Sequence, residues 1–520
     1  MNRRRRQGLS LLGHRERKHW LMSLLGLITG LEFFENVMFV FGAAHVMGGL
    51  DAAPGEFVRV QAAYAVGSLL AIVLQQRLSQ HLGYRRYLGA ALALFTLGLL
   101  GCAQSQSLGQ MALSRLVQGA GGGAFFTSCR ILVVVLFTPA DRPRAVRHFM
   151  LAIFGASALA PMCAAYLIEH HGWATLFYAA LPPALLAILG TALLMPEDAG
   201  KSPPSELPPR RDLLALLGFA AAVICLQWSF AEARFDMLGH PLRLALLGLG
   251  GALLLAAFLW SQWRHDAPLL HLRRLQSPLY IAGLGLYFVH YFLSNFSAYL
   301  FPIFAEGGLG LPLSTTGLLN SLASIASLLV AIAYMAWGGR LSRKRPLMLL
   351  GLACLGCCAI GLSCLPAQSD LLPLLPLLLA KGAFGALLVL PVAGQTFREL
   401  GDAHFAHGYQ GKNLMRQIAS SASGALAAVM LQNRQFGQRD ALLQDLDSGR
   451  AAVIESLGNL TQAFGAQGLN PPQAHAAALA QLSALVDRQA LLLACQDLYR
   501  LVALLALLAA GIVMVQRQLR

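Results

Sequence analysis

The chain has 520 residues, of which 57% are hydrophobic and only 12% charged, against roughly 25% charged in an ordinary soluble domain. That balance excludes a soluble enzyme of usual make-up, and apolar runs of spanning length replace the soluble domains of about 150 residues that the length alone would suggest. The formal charge of +15 sits in short Lys and Arg clusters between the apolar runs, which is the pattern of a positive-inside membrane protein and not of a basic face for nucleic acid.

A spanning helix needs about 20 apolar residues, and the sequence predicts fourteen. In chain order they run from about Trp20 to Val46, Phe57 to Leu78, Tyr87 to Ala103, Leu108 to Phe137, Phe149 to Ile168, Ala174 to Met195 and Leu213 to Ala231. The second seven run from Pro241 to Trp263, Pro278 to Ala305, Ser314 to Trp337, Pro346 to Leu365, Leu371 to Phe397, Asn413 to Asn433 and Gln489 to Val515. Placing Arg3 to Arg6, Arg15, Arg17 and Lys18 in the cytoplasm also puts Arg85/Arg86, Arg142/Arg144/Arg147, Lys201/Arg210/Arg211, Arg264/Arg273/Arg274 and Arg340/Arg343/Lys344/Arg345 there. Both termini then face the cytoplasm, and Arg234 is the visible exception on the other side. The first apolar stretch is too long for a cleaved signal and carries Glu32 and Glu35.

Two segments fall outside the bilayer. Pro196 to Arg211 is a Pro-rich polar linker. Residues 434–488, on the outer side, carry Leu442, Leu443, Leu446, Val453, Ile454, Leu457 and Leu460 at three- and four-residue steps, with a turn at Asn470-Pro471-Pro472; they read as two helices outside the membrane. The nine cysteines lie in or beside apolar segments, so disulfide staples are not expected, and Cys354, Cys357 and Cys358 lack the second ligand pair of a metal site.

Charged groups inside spans are costly and point to function. Glu32 and Glu35 lie three residues apart, about 60° around a helix, so both face one cavity. They stand about 18 to 22 Å from Trp20, at or past mid-bilayer. A carboxyl in such a site favours its neutral form until water reaches it, as a proton carrier requires; the alternative is a carboxylate permanently paired with Arg115. Lys381, midway along the twelfth span, either pairs with Glu32 or Glu35, binds an anionic substrate group, or snorkels. Gln61, Tyr64, Gln118, Gln227, His290, Tyr291, Asn295 and Asn320 add polar points to apolar helices, each read as an interhelical hydrogen bond or a ligand contact. Phe33, Phe34, Tyr287 and Phe288 either line an apolar cavity or simply pack.

Several motifs carry a resemblance. Ser114 to Gly123 (SRLVQGAGGG) looks like R-x-x-Q-G-x-G-G, and Gln76 to Arg86 fits the loop pattern G-x-L-a-D-r-x-G-r-r at Leu78, Gly83, Arg85 and Arg86, with Gln76 and Gln80 replacing Gly and Asp. A shortened copy follows at Gly339 to Arg345. Gly155 to Tyr166 keeps Pro161 of G-P-x-x-G-G, Trp173, Phe177, Tyr178 and Pro182 match W-R-x-x-F-x-x-N-x-P in part, and Asn413 to Ile418 resembles N-x-x-R-Q-x-G. Together these resemble the major facilitator superfamily, and within it the fourteen-helix drug:proton antiporters of the EmrB type.

The resemblance implies an all-α integral membrane protein of two six-helix bundles plus two accessory helices. The expected parts are a basic N-terminus (1–19), an N-terminal bundle (20–195), a linker with accessory helices (196–277), a C-terminal bundle (278–515) with the outer helical segment 434–488, and a tail (516–520). Implied roles are proton coupling for Glu35, Glu32 and Arg115, substrate contacts for Gln61, Tyr64, Gln118, Tyr287, His290, Asn295, Asn320 and Lys381, and gating for Gly83, Arg85, Arg86, Pro161, Asn413 and Arg416. The expected function is proton-driven efflux of amphipathic small molecules across the inner membrane, with no cofactor beyond the proton gradient. Expected partners are substrate, protons and lipid, with the outer segment docking a periplasmic membrane-fusion adaptor that serves an outer-membrane channel, or else only packing its two helices on each other or on the transporter; no nucleic acid is expected. The alternatives are uniport or uptake of an organic anion or metabolite, and a membrane-embedded enzyme, for which His404 and His407 near Glu399 and Asp402 form the one cluster to check.

Overall fold

The computed structural model describes residues 14–516 apart from 53, 198, 200–209, 237–240, 266–267, 342, 368–370 and 448–450. Arg3 to Arg6, most of the Pro-rich linker and the end of the tail therefore lie outside the described residues. All regular structure among the described residues is helical. The first bundle holds α1 (His14–Phe41), α2 (Ala43–Gly49), α3 (Pro54–Leu82), α4 (Tyr84–Ala103), α5 (Leu108–Gly122), α6 (Phe125–Leu136), α7 (Arg142–His171), α8 (Thr175–Ala179) and α9 (Leu181–Leu194). Next come α10 (Arg210–Asp236) and α11 (Pro241–Arg264), then α12 (Pro278–Pro302), α13 (Leu313–Trp337), α14 (Arg345–Ser363), α15 (Leu371–Thr396), α16 (Asp402–Asp447), α17 (Ala451–Ala466) and α18 (Pro471–Val515).

Thirteen segments among the described residues are long and apolar enough to span a membrane, and α10 adds a shorter apolar stretch at Leu214–Ser229. The chain is a multi-pass membrane protein. Its helices pack in two groups, each with its own core: one around Phe39, Phe95, Phe125 and Phe149, the other around Phe296, Phe301, Phe304 and Phe384. The two accessory helices pair through Phe219 and Phe258, whose rings lie 4.7 Å apart, and dock on Val66, Leu69 and Val73 of α3.

The fourth expected span is broken in two at Gly123 and Ala124, between α5 and α6. Its glycines explain the close packing. A Cβ on Gly119 would strike the Tyr64 carbonyl, and one on Gly121 would come within 2.5 Å of the Ala91 carbonyl and the Phe95 amide nitrogen. Only glycine lets α5 lie backbone to backbone on α3 and α4 at once.

The segment at 434–488, expected as two helices outside the bilayer, is shared among α16, α17 and α18. α16 is 46 residues long and α18 is 45, about 70 Å each at 1.5 Å per residue, more than twice the roughly 30 Å of bilayer hydrocarbon. Each is one continuous helix whose polar end projects, with α17 packed between them in sequence and against α18 in space. Arg439 and Asp487 join the two projecting stems at 2.7 Å. Asn470 caps the returning helix by accepting from the Gln473 amide at 3.0 Å, with Pro471 at its first position.

Candidate functional site

Between the two groups of helices lies a cavity of about 440 Å³, within the usual range of roughly 300–1,000 Å³ for small-molecule sites. Gln61, Tyr64, Tyr287, His290, Asn295, Asn320 and Lys381 line it, as the sequence suggests, together with Tyr291, Gln227, Phe33 and Arg115. Gln118 does not. It sits fully buried behind the wall, where its Oε1 accepts from Arg115 Nη1 at 2.8 Å. Asn295 donates to Ser420 Oγ at 3.0 Å, bridging α12 and α16.

Glu35 and Arg115 form a buried ion pair at 2.6 Å, each side chain 2% exposed. The Arg115 guanidinium also lies over the rings of Phe39 and Tyr64, at 3.8 and 4.4 Å from their centroids. Glu35 Oε2 has no hydrogen-bond partner among the described residues. One carboxylate oxygen is thus paired with Arg115, whose guanidinium lines the cavity, and the other makes no hydrogen bond among the described residues.

Glu32 is placed differently from the sequence expectation that it shares Arg115 or meets Lys381. It pairs with Arg416, on the other half, and also accepts from the Phe126 amide at 3.2 Å. Arg416 is held in turn by Asn413, which accepts from its Nε at 2.7 Å and donates to Thr127 Oγ1 at 2.7 Å and to the Gly123 carbonyl at 3.2 Å. The break between α5 and α6 supplies that carbonyl. Asn413 and Arg416, expected in a gating role, therefore tie α16 to α1, α5 and α6.

Lys412 is a residue that the sequence reading missed. It is 2% exposed, lines the cavity, and donates to Tyr291 Oη at 2.9 Å. Its ammonium lies 3.9 Å from the Phe126 ring centre and 4.9 to 5.2 Å from those of Tyr287, Tyr291 and Tyr409. Its spacing gives the signal: Lys412 and Arg416 are four residues apart and share a helix face. Lys381 meets neither glutamate. Its Nζ is buried without a hydrogen bond among the described residues and lies 4.9 Å from the Phe301 ring centre.

The end of the cavity toward residue 83 and the linker is closed by rings and inter-half hydrogen bonds. Tyr409 contacts Phe126, Phe397 and Phe405 at 5.2 to 5.6 Å between ring centres. Gln410 donates to the carbonyls of Ile72 and Val73 at 2.8 and 3.0 Å, and Gln76 meets His407 at 3.1 Å. Gln76 thus replaces the usual loop glycine with an inter-half contact. On the opposite flank α7 meets α13: the Met162 amide donates to Ser321 Oγ at 3.0 Å, and the Ser314 amide to Glu169 at 2.7 Å. Pro161 lacks the amide that would bond the Ser157 carbonyl, and Ser157 lines the cavity.

The loop motif joins parts of one half. Gly83, at a φ of +77° that favours glycine, precedes the Tyr84 amide, which donates to the Ala199 carbonyl at 3.0 Å. Arg85 pairs with Glu197 at 2.9 Å and reaches the Ala192 carbonyl, while Arg86 is exposed. Within this motif, Gln76 supplies a contact to the other half, through His407. Of the His404, His407, Glu399 and Asp402 cluster, the Asp402 side chain lies outside the described ones, and Glu399 accepts from Ser277 Oγ at 2.5 Å; among the described residues no group of three His, Cys, Asp or Glu side chains could hold a metal ion.

Two helical groups enclosing a mid-chain cavity, closed at one end by inter-half contacts, are the architecture of a secondary transporter. The family profile described as Major Facilitator Superfamily matches residues 25–424, and the chain belongs to that superfamily. It is 24% identical over 424 residues to YhcA of Bacillus subtilis (strain 168), named an uncharacterized MFS-type transporter, covering 80% of this chain and 77% of that one. It is 26% identical over 364 residues to MdtD of Salmonella newport (strain SL254), a protein named for multidrug resistance, covering 70% and 75%. Among solved structures, one of a proton dependent oligopeptide transporter superposes with a TM-score of 0.61 at 13% identity, covering 96% of this chain and 98% of that one. The human organic anion transporter MFSD10 superposes with a TM-score of 0.57 at 17% identity, covering 95% and 99%. These identities place the protein as a divergent transporter of the superfamily, whose fold is not that of an enzyme.

Proposed function

We propose that the protein is a proton-coupled exporter of amphipathic small molecules, seated in the inner membrane with both termini in the cytoplasm. The observation that carries this reading is the Glu35–Arg115 pair, buried at the cavity wall with one carboxylate oxygen left without a hydrogen-bond partner among the described residues. A proton arriving at Glu35 removes the counter-charge of Arg115, whose guanidinium lines the cavity; proton and substrate thereby act on the same group, which is how differential affinity couples two ligands. The likeness to MdtD supports a drug-like cargo. The closed linker end corresponds in this reading to a state shut toward the cytoplasm, and the Glu32–Arg416 pair is one of its inter-half ties.

The projecting stems of α16 and α18 support a further partner. Phe436, Leu443, Ile454, Leu479 and Leu485 are exposed there, and this apolar surface suits a periplasmic adaptor that passes cargo to an outer-membrane channel. The deciding experiment for the core reading is a proteoliposome assay with an imposed pH gradient, scanning anionic, neutral and cationic dyes. Transport that ignores the pH gradient with every dye rejects proton coupling.

A further inference from the structure

The four cationic side chains on the cavity wall are not equivalent. Arg115 and Arg416 each hold a carboxylate, from Glu35 and Glu32. Lys381 and Lys412 hold none: among the described residues neither makes an ion pair, and no acidic side chain lines the cavity. Two positive charges are thus left over in a site walled by protein, where a buried cation without a counter-charge is expensive. Lys412 has a neutral oxygen and four ring faces around it, and Lys381 has one ring face. The faces help, but neither replaces an anion.

The remaining wall supplies a second half of the recognition. Tyr287 and Tyr291 are stacked, with ring planes 12° apart. His290 joins the two lysines' surroundings, its ring 5.1 Å from that of Tyr291 and 5.4 Å from that of Phe384, one turn along α15 from Lys381. Flat π-surfaces beside fixed cations recognise a planar apolar body that carries a negative group.

We propose that the cargo of this cavity is an aromatic carboxylate, its body against the tyrosines and its charge drawn into the field of the two unpaired lysines. The proposal rests on the export reading above and narrows its substrate class. A cationic drug meets two like charges without a carboxylate to offset them, so the site rejects the cationic cargo that a general multidrug exporter would carry. An anion also competes with Glu32 for Arg416, which stands one helical turn from Lys412 and lines the same cavity. Substrate thereby loosens the inter-half tie that it must pass.

The test uses the purified full chain in nanodiscs and three probes with one body: 2-naphthoate, 2-naphthamide and 2-naphthyltrimethylammonium. Equilibrium binding is expected to favour the naphthoate at least tenfold over both others. Lys381→Met and Lys412→Gln are each expected to erase that preference, and Lys381→Arg to retain it; the comparison of probes on the unmodified protein stands even where a lysine variant fails to fold. Equal binding of the amide or the ammonium, binding of none of the three, or an undiminished preference in folded Lys381→Met overturns the proposal. Ethidium export driven by a pH gradient, with no naphthoate preference, rejects the anion site while keeping the export reading. Naphthoate preference without any pH-driven transport rejects proton coupling and keeps the site.

Discussion

Arg416 reaches Glu32 across 384 positions of sequence and fastens the second helical group to the first. The pair is buried on both sides, with side-chain exposures of 10% and 0%, so neither charge is solvated when the other is removed. Breaking a buried pair by neutralising one member costs about 3–5 kcal/mol. Part of that cost falls on the closed linker end, because Arg416 is also what positions Asn413 against Thr127 and Gly123.

Glu32→Gln is therefore expected to open the linker end more often. The check is thiol labelling of a Gln410→Cys variant lacking the nine native cysteines, since Gln410 is fully buried against α3. Labelling by a small maleimide should rise at least fivefold when Glu32→Gln is added. An unchanged rate removes the latch role from Glu32 and Arg416.

Glu35→Gln should leave expression and folding near normal and abolish pH-driven transport. Glutamine keeps the shape and one hydrogen bond to Arg115 Nη1 but carries no titrating proton. A loss of at least tenfold in the proteoliposome rate, with facilitated exchange of substrate retained, is the expected signature. Transport at the normal rate would leave the proton site elsewhere, and Glu32 would then be the next carboxylate to test.

How far these sites were legible in the sequence depends on the kind of signal. Glu35 and Arg115 announced themselves as charges inside apolar spans, where only a partner makes them tolerable. The Glu32–Arg416 pair was half visible: both residues stood out, but no local pattern says which distant span faces which. Lys412 escaped because hydropathy starts the thirteenth span at Asn413, whereas the helix begins at Asp402. The same blindness hid the length of α16 and α18, since a helix does not end where its apolar face does. The cross-contact of Gln76 with His407 depends on tertiary placement alone.

Topology gives a test independent of chemistry. Cysteines replacing Arg86, at the linker end, and Thr461, in α17, are separated by an odd number of spans in the fourteen-helix arrangement. An impermeant maleimide on intact spheroplasts should label only Thr461→Cys, and inverted vesicles only Arg86→Cys. Labelling of both from one side would overturn the arrangement.

Acid should release one tie at the linker end. Asp141 accepts from Lys18 Nζ at 2.9 Å and from Thr138 Oγ1 at 3.0 Å, and these hydrogen bonds hold its carboxyl below its ordinary value. A carboxyl lowered on folding adds stability that is fully present above its unfolded pKa of about 3.9 and fades as pH falls through the folded value. The unfolding midpoint of the unmodified protein should exceed that of Asp141→Asn at pH 6, and the gap should close below about pH 4. A gap that persists or widens in acid would assign the effect to packing.

The projecting stems permit a clean excision. Arg439 and Asp487 stand 2.7 Å apart on α16 and α18, so residues 440–486 can be replaced by a short Gly-Ser turn that leaves both stems paired. Loops longer than about 15 residues usually carry function, and this one exposes apolar side chains such as Ile454 at 68% and Leu479 at 46%, which lie ten or more residues beyond the predicted span ends at Asn433 and Gln489. The excision is expected to leave transport in proteoliposomes within twofold of normal, because the cavity and both ion pairs lie elsewhere. In cells that possess the adaptor it should abolish resistance. Resistance that survives the excision would remove the docking role. Transport lost in purified vesicles would make the stems part of the transporter's own fold, with α17 serving only to pack against α18.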